Sequence, residues 1–238
     1  MIAPGMRGMI ATKRCPPAEG LIATGTYYVH QDQRKLGEEV FQLFELPARQ
    51  GYQLRSTLVL QWPLPHTQRI TLELEPTWHY RAARIELEAE KHLTLASYQI
   101  ENARRLRARI EAAGRRTVES SLAWENALVD YPSALFVFAL CKKIMLAPGE
   151  STEIELVRIA LPSLEPQKVS CTCARFFDHH ESFEIGMFFV KEFALRFPGQ
   201  EELMHTWIDD AGVPLRIERR EEGEPMRFTL VRYRLFRV

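Results

Sequence analysis

From Thr26 almost to its C-terminus the chain alternates apolar and polar residues, and this period of two constrains the fold more than any other feature. In "QRITLELE", Ile70, Leu72 and Leu74 fall on one side, and Thr71, Glu73 and Glu75 on the other. "RIELEAE" sets Ile85, Leu87 and Ala89 against Glu86, Glu88 and Glu90, and "RRLRARIEAA" sets Leu106, Ala108, Ile110 and Ala112 against Arg105, Arg107, Arg109 and Glu111. Such segments are antiparallel strands with one buried face and one wet face. The pattern predicts strands over 26–31, 37–46, 51–61, 67–75, 81–90, 92–100, 104–113, 115–121, 150–159, 167–177, 183–196, 203–209, 213–221 and 226–237. Their connections are short and turn-like, among them "PARQG", "WPLPHT", "DDAG" and "EEGEP". Short links imply a meander in which each strand pairs with the next.

A sheet of more than a dozen strands does not stay flat; it coils, closes or splits. Each strand here has a single apolar face, so all those faces must share one interior. Residues 131–146, "YPSALFVFALCKKIML", break the alternation and are apolar nearly all round. Pro132 in the first turn and the following "APGE" delimit a helix. Lys142 and Lys143 sit near its C-terminal end, where the helix dipole favours cations. A helix that is apolar all round is buried. The expected fold is therefore mainly β, a long curved antiparallel meander forming a half-barrel or open barrel around one central apolar helix.

The expected organisation is an N-terminal segment, 1–24, followed by a single β-rich domain, 25–238. Within it "PTWHYRAARIELE" (76–88) echoes "DDAGVPLRIERRE" (209–221), and "YYVHQDQRKLGEEVFQLFEL" (27–46) echoes "RFFDHHESFEIGMFFVKEFAL" (175–195). Two pseudo-repeated half-sheets facing one another and joined through the helix would account for both echoes, as would the chance similarity of amphipathic strands.

The 31 basic and 31 acidic residues cancel. That balance argues against a dedicated nucleic-acid surface or an anionic-membrane binder. The first twenty residues lack the unbroken apolar core of a signal peptide, Arg7 interrupting any candidate, and "ATKRC" sets Lys13 and Arg14 where a lipidation signal at Cys15 would need small apolar residues. The chain contains no run of about 18 apolar residues that could span a membrane as a helix. The cytoplasm is the expected location. Cys15, Cys141, Cys171 and Cys173 show no secreted-scaffold spacing, so reduced thiols are expected.

Several clusters invite a chemical reading. "CTCARFFDHH" (171–180) gathers Cys171, Cys173, His179 and His180, but the spacing fits no standard zinc pattern, and a strand would turn the two histidines to opposite faces. "RRLRARIEAAGRR" (104–116) is the densest basic run, yet its arginines alternate with apolar residues and no aromatic stands among them for base stacking. His30, His66, His79, His92 and His205 have no nucleophile context, and Ser133 reads as a helix-terminus residue. The chain is read as non-enzymatic, without cofactor or metal.

One family resemblance exists. "TWIDDAGVPLRIERREEGEPMRFTLVRYRLF" (206–236) resembles the closing strands of uncharacterised bacterial proteins with a lipoprotein-carrier-like fold, similar to carriers of the LolA/LppX type and to proteins described as glycolipid-binding. The glycine-containing turn, the proline opening the next strand and the alternation after it carry the likeness. The resemblance implies a strongly curved sheet wrapped round helices and a greasy interior. It covers about a seventh of the chain, and the export signal usual in such carriers is not evident. The expected function is non-enzymatic binding of a lipophilic or amphipathic small molecule inside the sheet. The expected lining is Trp62, Trp78, Trp124, Leu135, Phe136, Phe138, Ala139, Phe188 and Trp207. The competing expectation is a structural or interaction domain with a fully packed core.

Overall fold

The computed structural model describes residues 20–236 apart from 63, 91, 103, 125–127, 198–201 and 221–224. Eight consecutive antiparallel strands come first: β1 (Leu21–Gln31), β2 (Arg34–Glu45), β3 (Tyr52–Leu60), β4 (His66–Leu74), β5 (Tyr80–Ala89), β6 (His92–Glu101), β7 (Arg105–Ala112) and β8 (Val118–Ala123). Then come β9 (Leu128–Asp130), helix α1 (Ala134–Cys141), β10 (Ser151–Ile159), β11 (Pro166–Arg175), β12 (His179–Phe183), β13 (Gly186–Arg196), β14 (Glu202–Ile208), β15 (Pro214–Arg219) and β16 (Met226–Leu235). All sixteen belong to one curved, unclosed sheet whose order runs β8 back to β1, then β16-β15-β14-β13-β11-β10-β9, with β12 paired to β13. The pairing is antiparallel except between β9 and β10.

The two halves are joined edge to edge by β1 and β16, which pair from Ala23–Leu235 to Gln31–Met226. The helix also touches both halves, packing on β3 and on β15. Register shifts within β1, β4, β13 and β14 add local twist and help to coil the sheet. Close strand approach is possible at Gly37, where a Cβ would run into the Val59 carbonyl oxygen.

Alternation holds wherever one face is covered. β3 buries Leu54, Ser56, Leu58 and Leu60 and exposes Arg55, Thr57 and Val59; β4 buries Gln68, Ile70, Leu72 and Leu74. All eight residues of α1 are buried in the interior of the curve, packed on β3, β9 and β15. The helix is shorter than the 131–146 predicted. Ser133, not Pro132, opens it: its hydroxyl accepts from the Leu135 N–H at 3.2 Å. The chain before Ser133 is committed elsewhere, since the Tyr131 carbonyl accepts from Arg219. At the other end the half-buried Lys142 and Lys143 end the apolar run.

A buried helix N-terminus leaves N–H groups without water. Glu39, reaching in from β2, answers them: its carboxylate accepts from the Ala134 N–H at 2.8 Å and from the Ser133 hydroxyl at 2.6 Å. Tyr131 donates to Gln68 of β4 at 2.8 Å, and Arg219 of β15 grips Asp130 with two hydrogen bonds of 2.8 and 2.9 Å. The plug is clasped by polar groups from both halves of the sheet.

Candidate functional site

The inward side chains and the helix together fill the interior. Phe136 packs against Tyr80 and Tyr131, and Trp124 meets Tyr80 edge-on. The void between Tyr80, Tyr98, Leu106, Val129 and Ile159 measures only about 10 Å³, room for about one water at most. Leu135, Phe136, Phe138, Ala139 and Trp124 are thus core residues packed on one another. Trp78 joins them at the edge, stacked on Tyr52 at 4.4 Å and 5.7 Å from Phe138.

The remaining aromatics of the expected lining lie elsewhere. Trp62 is 41% exposed beneath Arg34. Trp207 is on the outer face of β14, because its neighbours Thr206 and Ile208 point inward. There the hairpin of β12 and β13 folds over it. Arg216 lies over the rings of both Phe183 and Trp207, at 5.0 and 5.2 Å, and pairs with Glu181 at 2.7 Å. Phe188 belongs to the same hairpin, 6.1 Å from Phe183.

Open space remains at the end of the interior, beyond the last turn of α1. A cleft of about 480 Å³ opens there to solvent, within the ~300–1,000 Å³ range of small-molecule sites. Strand register sets its walls. Lys191 lies opposite Ile208, and Arg175 opposite Phe193, all on the inner face. The end of the helix and the residues after it supply Cys141, Lys142, Ile144 and Leu146, and the turn between β14 and β15 supplies Asp210, Ala211 and Gly212. Apolar side chains share the lining with three cations, Lys142, Lys191 and Arg175, and with Asp210.

Each cation is held in place. Lys142 Nζ donates to the Ala211 carbonyl and lies over the rings of Trp78 and Phe138 at 5.1 and 5.4 Å. Lys191 Nζ is 3.5 Å from the exposed Asp210 carboxylate. Arg175 bonds both oxygens of Asp178, at 2.7 and 2.8 Å, and donates to the Leu146 carbonyl at 2.6 Å. Burial, with the neighbouring charge of Lys191, holds the Lys142 ammonium below the usual lysine range against the opposing pull of Asp209 and Cys141. Burial likewise pushes the Asp209 carboxyl up.

A depression of similar size, about 500 Å³, lies on the outer face above Ala82, Ser97 and Gln99. Arg84, Arg107 and Arg109 rim it, and each pairs with a glutamate. It is an open trough on a sheet face whose arginines are already paired. Among the described residues no group of three or more His, Cys, Asp or Glu side chains is arranged to hold a metal ion. Cys171 and Cys173 are buried on the inner face, whereas His179 and His180 lie on the hairpin. No described helix is long and apolar enough to cross a membrane.

The cleft escaped sequence reasoning because its cations come from three segments far apart in the chain. The one local signal was the pair Lys142–Lys143 at the end of an apolar run.

Comparison with known proteins gives fold likeness only. No protein family matches the sequence, and no curated protein is significantly similar. Among solved structures, a β-barrel-like protein of the domain of unknown function DUF1849 from Brucella abortus superposes with a TM-score of 0.59 at 11% identity, covering 93% of this chain and all of that one. A DUF1089 family protein from Pseudomonas aeruginosa gives a TM-score of 0.50 at 15% identity, covering 89% of this chain and 95% of that one. The chain therefore shares a β-barrel-like architecture with proteins of unknown function. The LolA/LppX-type resemblance is not confirmed by either match.

Proposed function

We propose that the protein binds an amphipathic small molecule, non-enzymatically, in the cleft at the C-terminal end of α1. The single observation behind this reading is that one cleft brings the apolar Ile144, Leu146, Phe193 and Ile208 together with Lys142, Lys191 and Arg175. An acyl chain would lie on the apolar side chains and an anionic head would meet the lysines. Burial of all eight α1 residues, and a void near Tyr80 and Tyr98 of only about 10 Å³, favour binding at the mouth of the interior over the deeper site that the sequence suggested. The lipoprotein-carrier resemblance of residues 206–236 supports the same class of ligand.

Calorimetry with dodecanoate tests this. One molecule should bind per chain, and Ile144→Asp or Lys191→Glu, both at partly exposed lining positions, should weaken it severalfold without loss of fold. Absence of saturable binding would favour the second reading, an interaction domain. The filled core and the exposed Phe177 and Met187 support that alternative.

A further inference from the structure

Lys142 differs in setting from the chain's other described lysines. It is the residue on which α1 ends, its stem packs against Gly212, and its Nζ sits between the Trp78 and Phe138 rings and the Ala211 carbonyl. Lys143, one residue on, points away and meets His79 at 2.7 Å. Lys35 and Lys168 make exposed ion pairs with Glu38 and Glu155. Lys191 shares the cleft with Lys142 and keeps a carboxylate partner, Asp210.

We propose that Lys142 is a nucleophilic amine that captures aldehydes or ketones carrying an apolar chain, as a Schiff base within the cleft. The inference rests on the cleft being the binding site, and adds a chemistry to it. Lysine amines become nucleophilic when desolvated or set beside a second cation; Lys142 is half-buried, its amine lies over two rings, and it shares its cleft with Lys191. Of the groups facing Lys142, burial and the Lys191 charge disfavour the ammonium, while Asp209, Cys141, the Ala211 carbonyl and the Trp78 and Phe138 rings favour it; the net direction is below the usual lysine range. Arg175 also lines the cleft, with its charge paired to Asp178.

The chemistry needs no outside oxidant or reductant. Lys142 first loses a proton to solvent. Its nitrogen lone pair then forms a bond to the carbonyl carbon, and the carbonyl π electrons move to oxygen. A proton passes from nitrogen to that oxygen, giving a carbinolamine. The hydroxyl then leaves, the nitrogen lone pair forms the C=N bond, and the remaining nitrogen proton departs with the hydroxyl as water. The chain of the captured molecule would extend over Phe193 and Ile208, within the same cleft.

The test is reductive trapping on the full chain. Dodecanal or propanal is added with cyanoborohydride, which reduces the imine to a stable secondary amine, and modified peptides are mapped by mass spectrometry. Dodecanal should modify Lys142 severalfold faster than any other of the seven lysines, and propanal with less preference. Lys142→Arg should abolish that adduct and leave the melting temperature unchanged. Lys191→Met, which removes the neighbouring cation, should shift the pH profile of labelling at Lys142 to higher pH. Uniform labelling, or first labelling at Lys143 or Lys191, overturns the inference. Dodecanoate binding without any Lys142 adduct also overturns it, while leaving the amphipath reading intact. Equal rates at Lys142 with both aldehydes uphold the nucleophile and count against selection of a chain by the cleft.

Discussion

Arg219 of β15 and Asp130 of β9 form a two-bonded ion pair inside the barrel, with their side chains 2% and 3% exposed. The pair ties the segment leading into the helix to a strand next to β16, so it fastens the plug to the closing half of the sheet. A buried pair of this kind is a poor net stabiliser, but a broken one leaves an uncompensated charge. Asp130→Asn alone should lower unfolding stability by roughly 3–5 kcal/mol. The double change Asp130→Leu with Arg219→Met should recover much of that loss. Equilibrium denaturation of wild type, Asp130→Leu, Arg219→Met and the double variant measures the coupling, and simple additivity would contradict it.

Glu39 makes stability depend on pH in an unusual direction. Burial raises its carboxyl, and the hydrogen bonds from Ser133 and Ala134 offset this only in part. The folded value thus lies above the unfolded one. Its protonated form favours folding: the contribution is fully present below the ordinary carboxylate range and is lost as pH rises through the raised value. Denaturation of wild type and Glu39→Gln across that window should show the wild type gaining ground on the variant as pH falls. A constant difference would mean that Glu39 titrates normally.

The thiols of Cys141, Cys171 and Cys173 are free and buried. Burial, first among the causes, pushes Cys171 and Cys173 up to about 12, and raises Cys141 further. In the folded protein all three should resist iodoacetamide at mildly alkaline pH, and react once the chain is denatured without reductant. Rapid alkylation of the native protein would show that the interior opens. Cys15, the fourth cysteine, lies outside the described residues.

The helix supplies packing as well as a plug. Phe138 is buried beside Trp78 and Lys142, and Phe138→Ala should cost roughly 3–5 kcal/mol. Ala139 is fully buried, so a phenyl ring there has no space, and Ala139→Phe should cost about 1–3 kcal/mol or more. A neutral result at both positions by thermal or chemical denaturation would mean that the helix is not seated as described.

Much of this architecture is legible in the alternation of the chain, because one covered face per strand forces a period of two. β3, β4 and β10 begin and end within about a residue of the prediction. β1 starts earlier, at Leu21, since its first residues pair with β2 and β16. The run predicted over 183–196 turns at Glu184 and Ile185, leaving β12 as a separate strand under Arg216. β9 went unnoticed because three residues, "LVD", carry no period, and its parallel partner β10 is remote in sequence. The cleft is less legible still. Alternation tells which residues face inward, but not which inward residues stay uncovered when a short helix ends below the rim. Trp207 shows the limit well: its strand face was readable, whereas the hairpin that covers it was not.

Methyl-labelled NMR of the protein titrated with dodecanoate tests the central claim most directly. Saturable shifts at Ile144, Leu146 and Ile208, with Leu135, Val137 and Leu140 of the helix unmoved, are the predicted result. Shifts centred on the helix core, or none at any ligand concentration short of unfolding, would contradict a filled barrel that binds at its mouth.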